Sequence, residues 1–312
     1  MSRMPPRPAQ VPVPNDPAEL PPRPDLTRLA AMLTRLKLTA IRDQLDPLLG
    51  EAARRELTLV ETVALLCERE IARKDERRIE MALGLARFPM VRDLDGYDFG
   101  AQPAVDKPQV RELATGRFVA NGEAVLILGP PGVGKTHLSV GIGRAVITAG
   151  YTVLFTTATA LIAQLVKAHA EGRLEERLSH FAKPKLLIID ELGYLPVEPD
   201  AAHVLFQLVS RRYERGAILL TSNRAVSEWG TVFGDPVVAT AILDRLLHHS
   251  HVLTIRGESY RLREKRRAGL LATSSPPSAT DASSIARAAR SPDAPHRGSL
   301  RNVAKGSVPD VA

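Results

Sequence analysis

Cysteine is almost absent: Cys67 is the single one in 312 residues. A lone thiol cannot close an internal disulfide and lacks the partner cysteines of a thiolate zinc site, which points to a reducing compartment. Long apolar runs are missing too, since no stretch approaches the roughly 18 residues of a membrane span. The Pro-rich N-terminus lacks the basic stretch and apolar core of a secretory signal. A cytoplasmic protein with no membrane partner is expected. At this length one large or two modest domains can bury a full core, so no disulfide or metal staple is required.

The charge balance is basic, with 42 Lys+Arg against 35 Asp+Glu and a net charge of +7. Most of the excess lies in one late cluster, Arg261, Arg263, Lys265, Arg266 and Arg267. A solvated helix end accounts for such a cluster as readily as a nucleic-acid contact does. Nine of the first 24 residues are proline, and the last 40 hold five more among Ser, Ala and Arg. Neither end can offset its ordering entropy by burial, so 1–24 and 273–312 are predicted to be disordered tails.

Between the tails the patterning changes once. Over 25–95 it is helical: Leu26, Leu29, Leu33 and Leu36 recur at spacings of three and four after an Asp25 cap, and Thr58 with Glu61 has the spacing of a capping box. The second helix carries Leu59, Val63, Leu66, Ile71 and Ile79 until Gly84 and Pro89 weaken it. Its Arg69, Arg73, Lys74, Arg77 and Arg78 interleave with Glu68, Glu70, Asp75, Glu76 and Glu80, which reads as a solvated face laced with ion pairs. Over 96–272 short β-branched runs alternate with helices. Strands are predicted at Ala124–Leu128, Thr152–Thr157, Leu186–Asp190 and Ala217–Thr221, and helices near 136–149, 158–180 and 199–213. That alternation means an α/β fold, a parallel sheet flanked by helices, preceded by a small helical domain.

Three segments carry chemistry. GPPGVGKT, comprising Gly129, Pro130, Pro131, Gly132, Val133, Gly134, Lys135 and Thr136, matches the P-loop pattern between a strand and a helix. Its glycines let successive N–H groups turn toward phosphate oxygens, and the helix N-terminus adds partial positive charge. Lys135 is expected to reach the β- and γ-phosphates of ATP and Thr136 to ligate Mg2+. Next, Leu186–Ile189 deliver Asp190 and Glu191 at the carboxyl end of a strand, where ligands of open α/β sheets collect. Asp190 is the candidate holder of the magnesium and Glu191 the candidate polariser of the attacking water. Finally, Ile218–Ser222 lead to Asn223, a candidate γ-phosphate sensor.

Arg245, in ILDRLLHHS, lies on a predicted helix after the sheet. It is the candidate finger toward a neighbouring subunit's γ-phosphate, against the alternative of an intrahelical pair with a nearby acid. His248, His249 and His251 lack a second ligand pair at a metal-site spacing and read as surface or strand-edge histidines.

GPPGVGKTHL, LLIIDELGYLP, TSNR and the late LDRLLHH and GESYRLR, in that order, resemble the IstB-like ATP-binding proteins, transposition helpers related to the DnaC-type helicase loaders of the AAA+ class. The likeness spans about 25–270 and includes YDF at 97–99 and VRELATGRFVANGE at 110–123. It implies an AAA+ ATPase core and a homo-oligomer around DNA with nucleotide between subunits. It further implies activation or targeting of a partner transposase. A second-sensor arginine stays open among Arg256, Arg261 and Arg263. DNA contact should be mainly to backbone phosphates, because no base-reading signature is present. A helicase loader, with 25–90 gripping a helicase, is the alternative. A small-molecule kinase is disfavoured by Asp190-Glu191 with Asn223 and by the absence of an Arg-rich lid.

Overall fold

The computed structural model describes residues 25–194, 198–257 and 259–267; both predicted tails lie outside the described residues. The chain up to Tyr260 forms one unit, and a second begins at Arg261. Helix α1 (Leu26–Arg35) starts where Asp25 accepts the Arg28 N–H at 2.6 Å. Two short helices that the patterning did not separate follow, α2 (Thr39–Asp43) and α3 (Leu45–Arg54). Leu33, Ile41 and Leu45 bury one another beneath Leu29, Leu38 and Leu66. Helix α4 (Leu59–Ala86) opens on the Thr58–Glu61 capping box, runs through Gly84, and stops at Arg87 in the left-handed region.

The outer face of α4 does carry an ion pair, Arg78 with Asp75, and Lys74 reaches over to Glu70. Glu70 departs from the expected solvated face, because it is 4% exposed and turned inward. Its Oε2 accepts the N–H groups of Ala40 and Ile41 at 2.8 and 3.1 Å, supplying the first turn of α2 with a cap that Leu38 cannot provide. Burial pushes this carboxyl up, but the two N–H groups and Lys74 outweigh it and hold the group below the ordinary glutamate range. A depressed folded value stabilises the protein above the unfolded value of about 4.3, and the contribution is lost as pH falls through the folded one. Glu70→Ala is therefore expected to lower urea-denaturation stability by about 1.5–3 kcal/mol at pH 7, with the difference from wild type shrinking below about pH 4. A pH-independent difference would contradict the carboxylate's role.

The remaining elements alternate. Helices α5 (Lys107–Ala114) and α6 (Arg117–Asn121) lead into β1 (Ala124–Leu128), α7 (Lys135–Thr148), β2 (Val153–Thr157), α8 (Ala158–Ala170) and α9 (Leu174–Ala182). Then come β3 (Leu186–Leu192), α10 (Pro199–Arg212), β4 (Ala217–Ser222), α11 (Trp229–Phe233), α12 (Pro236–Leu247), β5 (Ser250–Thr254) and α13 (Tyr260–Arg267). The predicted helix at 158–180 is two helices, broken where Gly172 takes φ +70°. β5 is a strand that the patterning did not call.

All five strands are parallel, in the order β2-β3-β4-β1-β5. β4 thus lies between β1 and β3. Alternate residues feed opposite faces: Leu126, Leu187, Ile218 and Leu220 pack beneath α8–α12, while Val125, Ile127, Ile188 and Leu219 pack with α7 and the end of α4. A sheet buried on both faces exposes only its edges and ends, so a ligand must be met at the strand ends. Among the described residues no helix is long and apolar enough to cross a membrane.

Candidate functional site

The carboxyl ends of β1, β3 and β4 form one edge, and three of the predicted segments converge there. After β1 the chain turns through Gly129–Gly134 and enters α7 at Lys135. Pro130 and Pro131 have no N–H, so the donors of this turn run from Gly132 onward into a first helical turn whose N–H groups lack intrahelical acceptors. Gly132 and Gly134 take φ +80° and +98°, open to glycine without strain. Each also has a neighbour where a Cβ would stand: the Ser259 side chain at Gly132, and the Tyr97 ring, 2.9 Å away, at Gly134.

The loop is thus gripped by two distant segments. The Ile255 N–H donates to Leu128 O at 2.7 Å and the Tyr260 N–H to Gly132 O at 3.0 Å. Against the other glycine, the Tyr97 hydroxyl donates to Val133 O at 3.4 Å, and burial with the nearby Asp98 carboxylate pushes its phenol up to about 12, so it stays a donor. Upstream of Tyr97, Asp93 takes the Arg144 guanidinium and its carbonyl lies 3.0 Å from His137 Nε2, tying the segment before Tyr97 to α7. Lys135 is buried, and its Nζ donates to Gly129 O and Pro130 O at 2.8 and 2.9 Å.

Asp190 is buried at the end of β3 and faces α7: the Thr136 hydroxyl donates to its Oδ2 at 2.8 Å. The Thr221 hydroxyl, from β4, donates to its Oδ1. Beyond Asp190 the β3–β4 register slips. Ile189 pairs with Leu220 and Leu192 with Ser222, so β3 carries one more residue than β4. The slip includes Glu191, which sits at φ +64° with an exposed side chain and donates its N–H to Thr221 Oγ1 at 2.9 Å. A non-glycine residue held left-handed in a strand is an outlier of the kind found at functional sites.

Asn223 follows β4 at the same edge, and its Oδ1 is buried with no hydrogen-bond partner among the described residues. Arg245 is not at this edge. It is half-buried near the end of α12, donates to Ala241 O at 3.1 Å, and lies 4.6 Å over the Phe206 ring. It lines a cleft with Tyr213, Glu214, Gly216 and His249, beside the amino ends of β1 and β4. Five residues of strand, about 17 Å, separate that end from its own P-loop. His248 pairs with the Tyr213 hydroxyl and His251 with Glu123, also at the amino end. Of the three second-sensor candidates, Arg256 is exposed just after β5, and the side chain of Arg261 lies outside the described residues.

The family model described as IstB-like ATP-binding protein matches residues 31–268. The chain belongs to this family. Two relatives are alike over nearly their whole length. An IS21 insertion-sequence ATP-binding protein from Pseudomonas aeruginosa is 46% identical over 253 residues, 81% of this chain and 96% of the relative. An IS5376 counterpart from Geobacillus stearothermophilus is 47% identical over 232 residues, 74% and 92% of the respective chains. Among solved structures, the DnaC helicase loader aligns over 53% of this chain and 96% of its own, at 23% identity and a TM-score of 0.42. In this IstB-like protein the residues that spacing alone did not single out are Thr221, Tyr97 and Ser259. Thr221 reads as one of the small polar residues closing a buried strand until its register opposite β3 is known.

Proposed function

We propose that this IstB-like protein is an ATP-hydrolysing helper of transposition that assembles on DNA and activates or targets a partner transposase, with hydrolysis driving release. The observation that carries the reading is the meeting of Lys135, Thr136, Asp190, Glu191 and Asn223 at one strand edge, joined by the Thr136–Asp190 hydrogen bond. Family membership and relatives that belong to insertion sequences support the biological side.

The residues fit a magnesium nucleotide. Asp190 and Thr136 offer two hard oxygens 2.8 Å apart, and the buried Asn223 Oδ1 has no partner among the described residues. Thr136 and Asp190 would hold Mg2+, which supplies charge neutralisation at the β- and γ-phosphate oxygens. The N–H groups from Gly132 to Thr136 cradle the phosphates, and Lys135 Nζ exchanges its two carbonyl acceptors for phosphate oxygens. Glu191 accepts a proton from water as the water oxygen bonds to the γ-phosphorus. The bond to the bridging oxygen breaks and ADP leaves with the electron pair. Asn223 orients that water against the γ-phosphate. Arg245 is too far from its own site to help there, so it serves a neighbour's, placing nucleotide between subunits of a homo-oligomer.

Nucleotide held between subunits stabilises assembly by mass action, and hydrolysis removes that stabilisation. The reading is tested by duplex DNA binding with and without ATP over a salt series. Binding should require ATP and fall steeply with salt, as expected for contacts to backbone phosphates. Lys135→Ala should weaken nucleotide binding and with it the ATP-dependent fraction of DNA binding. Absence of both ATP hydrolysis and ATP-dependent DNA binding in the wild type would refute the proposal.

A further inference from the structure

We propose that Thr221 is a positioning residue for hydrolysis: it holds Glu191 in its left-handed conformation and locks it to Asp190. The inference rests on the ATPase reading above and deepens it. Thr221 is fully buried in β4, next to β1 on one side and β3 on the other. A hydroxyl has one proton to give and lone pairs to accept with. Here both capacities have definite uses. The Asp190 carboxylate can only accept, so the Thr221 proton goes to its Oδ1; the Glu191 N–H can only donate, so it occupies a Thr221 lone pair at 2.9 Å.

The location explains why a side chain is needed. At the register slip, the Glu191 N–H bonds a side-chain oxygen of β4 rather than a β4 carbonyl. Without the hydroxyl the left-handed turn at Glu191 loses its cross-strand anchor. Neighbouring Ser222 anchors the other end of the slip, donating to Leu192 O at 2.8 Å and accepting the Arg224 N–H at 3.1 Å. Asp190 in turn divides its oxygens between Thr136 and Thr221. One chain of hydrogen bonds therefore runs from the start of α7 through Asp190 and Thr221 to the backbone of Glu191. The proposed metal-holding carboxylate and the proposed base are oriented by the same hydroxyl.

The test is ATP hydrolysis and fluorescent-nucleotide binding by the full chain for wild type, Thr221→Val, Thr221→Ala and Thr221→Ser. Valine keeps the shape and removes both hydrogen bonds, and alanine does so without adding a buried methyl. Both should lower kcat about 10- to 100-fold, the usual effect of removing a residue that orients a reacting ligand, while nucleotide affinity moves less than about threefold. Serine, which keeps the hydroxyl, should recover most of the rate. Combined with Glu191→Gln, the Thr221→Val change should slow hydrolysis less than it does alone, because the part of its effect that acts through Glu191 is already lost. Unchanged kcat in valine and alanine variants that remain folded, or additive losses in the double variant, would overturn the assignment. A wild type that binds nucleotide but never hydrolyses it would instead remove the ATPase reading itself.

Discussion

Glu191→Gln is expected to slow ATP hydrolysis by about 10²- to 10⁴-fold, the usual contribution of a general base, with nucleotide binding retained. Glutamine has the size of glutamate but cannot take the proton from water. The side chain is exposed at the strand end, and the hydrogen bonds from Lys135 to Gly129 O and Pro130 O and from Thr136 to Asp190 do not involve it. Its backbone N–H is engaged with Thr221, and the substitution leaves that hydrogen bond intact. If hydrolysis drives release, the variant should accumulate as an ATP-loaded complex on DNA. Phosphate release, nucleotide titration and DNA retention measured on one preparation check all three. A loss of nucleotide affinity equal to that of Lys135→Ala would mean that Glu191 belongs to the binding site.

Arg245→Ala should reduce turnover still more, by about 10³- to 10⁵-fold, if the guanidinium is a finger for the adjoining subunit. Within its own chain it sits beside the amino ends of the strands, and its local partners are a helix carbonyl and the Phe206 ring. Losing the ring contact costs about 0.5–1 kcal/mol of stability, too little to abolish activity by unfolding. Mixing separates the two roles. An Arg245→Ala subunit has an intact Glu191, and a Glu191→Gln subunit has an intact arginine. Co-assembled, they should regain part of the rate that neither has alone. No recovery at any ratio, with co-assembly verified, would return Arg245 to packing against Phe206.

How much of this was legible in the sequence depends on how local each signal is. β1 was readable to the residue because Val125–Ile127 are apolar without interruption between Glu123 and the P-loop. The capping box at Thr58 and Glu61 depends on residues three apart and was equally plain. β5 escaped because its His251 and Thr254 interrupt the apolar run, and its strand character comes from pairing with β1. Glu70 looked like a surface acid because its neighbours on α4 are charged; its real partners, Ala40 and Ile41, lie some 30 residues away.

The same distinction runs through the site. Gly129–Thr136, Asp190, Glu191 and Asn223 could be named from strand ends and residue chemistry, and they do meet at one edge. Thr221 could not, because its importance depends on a register slip between β3 and β4. Nor could the grip of Tyr97 and Ser259 on the P-loop glycines, which brings in residues 37 positions before Gly134 and 127 positions after Gly132. Arg245 was visible as a residue, but its distance from its own P-loop required the sheet.

The most direct measurement is a structure of the protein with magnesium and a non-hydrolysable ATP analogue. The triphosphate should lie along the N–H groups from Gly132 to Thr136, with Lys135 Nζ moved from Gly129 O and Pro130 O onto phosphate oxygen. An analogue bound elsewhere, or a Lys135 still bonded to those two carbonyls beside a phosphate-free loop, would contradict the account.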